Sequence, residues 1–192
     1  MPLSNYSKSK HYIQKKLTEK VSISDLNFNT GIMFSHESEF RRSNFFTKTI
    51  VEFLAEYQKV KKIKLDVGNI SIKRDIGYAE EYVEAIYLLM KKNNKEEYII
   101  SSNSLRELSE FIDICLNILE IDYFKEENGE DIKYIDKKNN FNFISSTTSE
   151  YRKYDLKGVK GDNSKIINEL GWVQTYDLEK ISRRMIEYEI KK

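Results

Sequence analysis

The stretch from Asn44 to Val67, NFFTKTIVEFLAEYQKVKKIKLDV, sets a long amphipathic segment directly before a short apolar one. Its apolar residues share one side of a helix at 3.6 residues per turn, which predicts a helix over 44–60. They are Phe45, Ile50, Val51, Phe53, Leu54 and Tyr57. Residues 63–67 then predict a short strand that ends at the break Gly68-Asn69.

The same alternation of helix and strand continues on both sides of this stretch. Further helices are predicted over 5–20, 78–90, 105–119, 165–170 and 178–190, and further strands over 23–33, 98–100 and 132–135. The helix over 78–90 is expected to turn inward Tyr82, Val83, Ile86, Leu89 and Met90. Residues 122–153 are polar and predict loops around the last strand. Helices that alternate with short strands indicate an α/β or α+β fold.

Composition excludes several classes of protein. The 192 residues suffice for one domain or two small ones, and 32 Lys+Arg against 31 Asp+Glu argue against a chain that wraps nucleic acid by bulk charge. No apolar run is long enough for a transmembrane helix, and the first residues lack the apolar stretch of a signal peptide. The single cysteine, Cys115, excludes an internal disulfide and fits a reducing cytosol. We therefore expect a cytoplasmic protein without membrane or nucleic-acid partners.

Scarce residue types narrow the possible chemistry. The 7 glycines form no phosphate-binding loop of the G-x-G-x-x-G or Walker type. Two histidines and one cysteine do not make up a usual zinc site, so we expect no metal.

Tyr6 and Lys10 lie four residues apart on a predicted helix, so their side chains share one face. An ammonium group beside a phenol favours the phenolate, which can take a proton from a sugar hydroxyl. Six other Tyr/Lys pairs have the same spacing, and each fits equally well a half-buried ring beside a solvated amine. The spacing alone therefore does not single out this pair.

Four segments, in order, carry a resemblance to a known family. They are Pro2–Lys10 (PLSNYSKSK), Asn29–Ser38 (NTGIMFSHES), Gly68–Ala85 (GNISIKRDIGYAEEYVEA) and the pair Gly161–Lys165 with Leu170–Trp172. In this order and spacing the chain resembles the GDP-mannose 4,6-dehydratase family of extended short-chain dehydrogenases/reductases. The resemblance covers nearly the whole chain but only the C-terminal half of the family.

The resemblance implies an α/β fold in two parts. Residues 1–35 would be a remnant of the NAD(P)-binding Rossmann-like domain, with the N-terminal half of its parallel sheet missing. Residues 36–192 would be mainly the sugar-nucleotide-binding subdomain, with interspersed Rossmann elements.

The resemblance also implies roles for matched residues. Tyr6 would be the catalytic base, and Lys10 would support it and hold the nicotinamide ribose of NADP. His36 and Arg41 match positions that contact NADP. From the residues alone, His36 reads instead as a satisfied loop histidine at the end of a strand.

Five further residues match positions on the substrate side. Arg74 and Arg152 would grip the pyrophosphate of the sugar nucleotide, Asn69 would flank the guanine, and Asp155 stands where the family carries a glutamate that faces the nucleotide. Ser35 replaces a substrate-contacting asparagine. A surface ion pair with Asp75 is the plainer interpretation of Arg74.

The implied activity is the NADP-dependent conversion of GDP-mannose to GDP-4-keto-6-deoxymannose. Because half of the family's length is absent, we expect the chain to act with an N-terminal partner or as a homo-oligomer. Two alternatives stay open: a non-catalytic sugar-nucleotide-binding or assembly module, and another nucleotide-sugar dehydratase or epimerase of the same superfamily.

Overall fold

The structure, a computed structural model, describes residues 4–23, 28–92, 94–129, 131–147 and 158–192. Its helices are α1 (Asn5–Ile23), α2 (Phe46–Val60), α3 (Ala79–Lys91), α4 (Leu108–Ile118), α5 (Ser164–Leu170) and α6 (Leu178–Ile190). Its strands are β1 (Thr30–Met33), β2 (Ser35–Glu37), β3 (Leu65–Val67), β4 (Lys73–Tyr78), β5 (Glu97–Ile100), β6 (Leu105–Glu107), β7 (Tyr123–Asn128), β8 (Asp131–Asp136) and β9 (Phe141–Ser146). The α/β class is confirmed. Within the described ranges, no helix is both long and apolar enough to cross a membrane.

The strands form three small sheets. β1 pairs in parallel with β5, and the second sheet has the order β2-β4-β6, in which β2 and β4 are parallel and β4 and β6 antiparallel. The third has the order β3-β9-β8-β7, in which only β3 and β9 are parallel. A single residue, Phe34, separates β1 from β2, so the chain passes directly from the first sheet into the second.

Two hydrophobic cores hold these sheets. The larger joins helices α2, α4 and α6 to the third sheet through fully buried side chains such as Tyr57, Phe111 and Phe143. The smaller packs α3 and α5 against β5, with Tyr82, Tyr98 and Trp172 at its centre. β2 and β4 run between the two cores and carry the site described below.

Three predictions about strands were wrong. Of the strand predicted over 23–33, Ile23 belongs to α1, residues 28–29 are in no strand and residues 30–33 form β1, while residues 24–27 lie outside the described residues. The helix predicted from 105 is preceded by β6, which forms because Leu105 to Glu107 pair with β4. The strand predicted over 132–135 is confirmed as β8, but the loops predicted around it contain β7 and β9, which pair with it in a three-stranded meander. In the second and third cases pairing with another strand decides the backbone conformation, and local polarity does not report it.

The inward face of α3 was also predicted wrongly. Tyr82 and Leu89 are buried, but Val83, Ile86 and Met90 are exposed, Met90 by 80%. Helical periodicity identifies apolar residues without showing which of them another element covers.

Candidate functional site

β2 directs alternate side chains into two clefts. Ser35 and Glu37 line a cleft of about 510 Å³, here called the Arg74 cleft. His36, between them, lines a second cleft of about 400 Å³, here called the His36 cleft. Successive side chains of a strand point to opposite faces, so one short strand serves both clefts.

The Arg74 cleft brings together four predicted ligand-binding residues from two stretches of the chain, 35–41 and 69–74. Ser35 comes from β2, Arg41 from the loop after it, Asn69 from the turn after β3 and Arg74 from β4. The parallel register of β2 and β4 sets Ser35 beside Ile76, two residues after Arg74 and on the same face. The Asn69 side chain accepts a hydrogen bond from the backbone N–H of Ser71, 2.8 Å away, which fixes the turn that carries it.

The charge of the Arg74 cleft is mainly positive. Arg41 and Arg74 are both half-buried there, and the side chain of Arg74 donates to the Lys73 carbonyl at 3.0 Å. The first turn of α2 also lines the cleft, and its N-cap residue, Phe45, forms no side-chain cap. Unpaired amides at a helix N-terminus carry partial positive charge and favour anions. Among the residues that line this cleft, Glu37 is the single carboxylate.

Glu37 stands at the buried end of this cleft with two polar neighbours. Its Oε2 lies 3.2 Å from Nε of Arg41, and its side chain is only 8% exposed. Burial raises the pKa of Glu37, while the Arg41 charge and the Thr47 hydroxyl act in the opposite direction. Within the described part of the chain, Glu37 Oε2, Arg41 Nε and Thr47 Oγ1 are buried without an aligned hydrogen-bond partner.

The His36 cleft collects cations and a hydroxyl. Besides His36 and Arg41, it is lined by Ser38 and Arg42, with Phe40, Phe45 and Ala79. His36 Nδ1 lies 2.9 Å from the carbonyl oxygen of Phe34. Because a carbonyl oxygen only accepts, Nδ1 is the donor in this hydrogen bond. The other ring nitrogen, Nε2, takes no part in it. The interpretation as a satisfied histidine thus holds for one of the two ring nitrogens.

Arg41 forms the wall between the two clefts. It lines both, as does Phe45, and its guanidinium lies 3.5 Å from the centre of the Phe45 ring. The His36 cleft fits part of a phosphate-bearing cofactor, because two guanidinium groups, an imidazole and a hydroxyl converge on it. It does not supply a whole dinucleotide site, since the sequence has no glycine-rich phosphate loop.

The predicted catalytic pair lies elsewhere, on α1. The ammonium of Lys10 is 5.5 Å from the centre of the Tyr6 ring, so the two side chains share a face as their spacing predicts. Tyr6 is 73% exposed, and neither residue lines the Arg74 or the His36 cleft. Arg152 and Asp155 lie outside the described residues.

Asp75 anchors the strand that carries Arg74. It is 2% exposed and accepts hydrogen bonds from the backbone N–H and the hydroxyl of Ser102, at 2.7 and 2.6 Å, and from the N–H of Gly161 at 3.0 Å. Asp75 is therefore not a surface aspartate, and a surface ion pair between Arg74 and Asp75 does not describe the structure. The bonds tie β4 to the segments before β6 and α5.

Sequence reasoning missed Glu37, Thr47 and Phe45 as site residues. A signal for Glu37 was present, because it stands two residues after Ser35 and so shares its face of a strand. Thr47 had a weaker signal as a residue in the first turn of a predicted helix. Phe45 was assigned to the core but is 40% exposed and lines both clefts.

Comparison with known proteins identifies the family. The model of the GDP-mannose 4,6 dehydratase family matches residues 1–185. GDP-mannose 4,6 dehydratase 1 of Arabidopsis thaliana is 28% identical over 193 residues, covering 99% of this chain and 48% of the relative. The Dictyostelium discoideum enzyme of the same name is 27% identical, covering 99% and 53%. The chain thus spans about half the length of the curated relatives it matches.

Solved structures agree on the fold. RMD from Pseudomonas aeruginosa, solved with NADPH, superposes with a TM-score of 0.80 at 15% identity and covers 100% of this chain and 58% of the other. The dTDP-glucose 4,6-dehydratase of Bacillus anthracis, solved with NAD, gives a TM-score of 0.76 at 18% identity, with 100% and 53% covered. The fold is that of part of an extended short-chain dehydrogenase/reductase, and the chain belongs to the GDP-mannose 4,6-dehydratase family.

Proposed function

We propose that this chain binds a nucleotide diphosphate sugar, GDP-mannose, in the Arg74 cleft and takes part in its NADP-dependent 4,6-dehydration. One observation carries the proposal: four residues that the family resemblance assigns a ligand contact line one cleft, although they come from two stretches of the chain about 30 residues apart. They are Ser35, Arg41, Asn69 and Arg74. These residues were assigned by their positions in sequence motifs, which do not state that their side chains lie close together in space.

The chemistry of the Arg74 cleft fits a pyrophosphate. A planar guanidinium group makes paired, charge-assisted hydrogen bonds to phosphate oxygens, and the half-buried position of Arg74 strengthens such bonds relative to bulk water. In the proposal, Asn69 lies beside the guanine and Ser35 beside the sugar end of the ligand. Arg152 and Asp155 are included on the resemblance alone.

The His36 cleft would hold a phosphate-bearing part of NADP, with His36 and Arg41 as its contacts. When bound, the cofactor would supply hydride acceptance and return. Tyr6 would take the proton from the hexose hydroxyl, and the Lys10 ammonium would stabilise the phenolate and hold the ribose. The proposal keeps residues 1–35 as a remnant of the Rossmann domain and 36–192 as mainly the substrate subdomain.

The active form is proposed to be an assembly, with a chain that carries the N-terminal half of the nucleotide-binding sheet or with a second copy. On α1 the side chains of Tyr6 and Tyr12 are exposed, as are Met33 on β1 and Met90 on α3. Parallel sheets of α/β proteins are normally covered on both faces, so these surfaces fit a protein partner. The proposal includes a cytosolic location, because a chain with a single cysteine forms no internal disulfide and fits a reducing compartment.

A non-catalytic sugar-nucleotide-binding module is the second candidate. The position of Tyr6 outside both clefts favours it, because such a module needs the Arg74 cleft but no base.

Calorimetric titration of the chain with GDP and with GDP-mannose tests ligand binding. We expect both to bind, and Arg74→Ala to weaken both by about tenfold or more through the loss of a charge-assisted phosphate contact. Arg183→Ala, which removes an exposed arginine on α6, is the matched control and should bind like the wild type. Absence of heat with either ligand, or equal affinities for the two variants, would overturn the proposal.

Dehydration by the chain mixed with the N-terminal half of a relative separates the two candidates. If the chain is catalytic, Tyr6→Phe abolishes product formation, whereas Tyr12→Phe, on the same helix with the same lysine spacing, does not. Product formation that survives Tyr6→Phe favours the binding module.

A further inference from the structure

The Arg74 cleft is lined by three side chains with buried polar atoms that form no aligned hydrogen bond within the described part of the chain. These atoms are Oε2 of Glu37, Nε of Arg41 and Oγ1 of Thr47, here called the Glu37 recess. Most buried polar atoms in native proteins form hydrogen bonds, because an unpaired one has lost its hydrogen bonds to water and gained none in their place. Glu37 Oε2 and Arg41 Nε lie 3.2 Å apart as an ion pair, but neither they nor Thr47 Oγ1 make an aligned hydrogen bond. A ligand in the cleft that all three side chains line can supply the aligned hydrogen bonds that these groups lack.

The donors and acceptors of the recess define the partner. An ionised carboxylate only accepts, an arginine Nε only donates, and a threonine hydroxyl does both. A ligand hydroxyl can donate to Glu37 while it accepts from Arg41 or Thr47. A phosphate oxygen offers no proton to Glu37 and would be repelled by it, and an amino group offers little acceptance to Arg41.

The position of the recess along the cleft supports a neutral partner. Glu37 is level with Tyr78 in the parallel register, four residues beyond Arg74 on β4. At about 3.3 Å per residue, the backbone positions of Glu37 and Arg74 are about 13 Å apart along the strands. A ligand whose phosphates lie at Arg74 can therefore reach Glu37 with an uncharged portion. At this distance the Glu37 carboxylate repels the phosphates only weakly.

We infer that Glu37 and Thr47 form a hydroxyl-binding recess that takes a sugar hydroxyl of the ligand bound in the Arg74 cleft. The inference rests on the proposed function and deepens it. The carboxylate would accept the hydroxyl proton in a charge-assisted hydrogen bond, and Arg41 or Thr47 would donate to the oxygen. Such a contact discriminates well, since an analogue without the hydroxyl leaves the buried groups unpaired again.

The hydroxyl can come from the hexose or from the ribose, and three ligands distinguish these sources. GDP-mannose carries both sugars, GDP lacks the hexose, and 2′,3′-dideoxy-GDP also lacks the ribose diol. Their affinities are measured by calorimetry for the wild type, Glu37→Gln and Thr47→Val, with unfolding curves to confirm that each variant folds. Glu56→Gln, an exposed glutamate on α2, is the matched control for the lost charge, and Thr47→Ser restores the hydroxyl.

We expect Glu37→Gln to weaken GDP-mannose binding by about tenfold, the usual effect of losing a hydrogen bond to a charged group, and Thr47→Val by about threefold or more. Thr47→Ser and Glu56→Gln should bind like the wild type. If GDP binding is unchanged by Glu37→Gln, the hydroxyl belongs to the hexose. If GDP weakens equally and dideoxy-GDP is unaffected, it belongs to the ribose.

Two outcomes overturn the inference while the proposed function stands. Affinities within twofold of the wild type for all three ligands would mean that the recess holds a fixed water only. Equal weakening of all three would mean that Glu37 affects the binding of the diphosphate, which they share, or the stability of the fold. A wild-type chain that binds none of the ligands removes the proposed function and this inference together.

Discussion

Removal of the Asp75 carboxylate should destabilise the fold more than any exposed aspartate does. Asp75 is 2% exposed and receives three hydrogen bonds, two of them from the backbone amides of Ser102 and Gly161 at 2.7 and 3.0 Å. In Asp75→Ala both amides lose their acceptor, whereas the Ser102 hydroxyl keeps its 3.2 Å contact with the Ser104 carbonyl.

The expected cost follows from those two amides. A hydrogen bond to a charged group contributes about 1.5–3 kcal/mol, so the loss of two in Asp75→Ala should lower the free energy of unfolding by about 3–6 kcal/mol. Asp75→Asn should cost about 2 kcal/mol, because its carbonyl can serve Ser102 while its NH₂ group faces the Gly161 N–H, donor against donor.

Urea unfolding at pH 7 measures both variants. Asp66→Ala is the control: Asp66 is an exposed residue of β3 paired with Lys64 at 3.2 Å, and it should change the stability by less than about 1 kcal/mol. Hydrogen exchange at the Gly161 amide should quicken in Asp75→Ala. A loss for Asp75→Ala no larger than that for Asp66→Ala would refute the anchoring role.

Three further predictions concern other parts of the fold. Gly77→Ala should cost about 1–3 kcal/mol in urea unfolding, because the added methyl would lie 2.8 Å from Cζ of the buried Tyr82 ring; wild-type stability would contradict this. Burial acts to raise the pKa of Glu39, but hydrogen bonds from its backbone and from Arg184 outweigh it and hold the pKa below its usual value. The stability advantage of the wild type over Glu39→Gln should therefore be complete above about pH 5 and shrink as the pH falls through the folded-state pKa; a difference that grows in acid would be the wrong sign. Cys115 is fully buried, and burial raises the pKa of its thiol, so a disulfide reagent should label it only on unfolding in urea, and rapid labelling of the native chain would contradict this.

The sequence by itself determined where α2 begins and where α5 ends. The apolar stripe over 44–60 predicted α2 to within two residues at its start, and Gly171 predicted the end of α5, where it adopts a left-handed conformation with φ of 65°. Such signals are local: side chains at i, i+3 and i+4 share a face in any helix, and a left-handed cap favours glycine in any context. The order and spacing of four motifs also determined the family.

Only the tertiary structure decided the strands and the clefts. β4 pairs with β2 and β6, which lie about 30 to 40 residues away along the chain. The meander β7-β8-β9 forms by pairing of successive strands, two of which cross stretches whose polarity predicts loops. The meeting of Ser35, Asn69 and Arg74 depends on the register of β2 against β4 and on the turn after β3. The same holds for Glu37, because whether a strand residue faces a cleft or a core is set by what packs against that strand. Neither pairing nor packing is encoded within a few residues of the side chain concerned, which is why the chain had to be seen folded before its polar recess could be found.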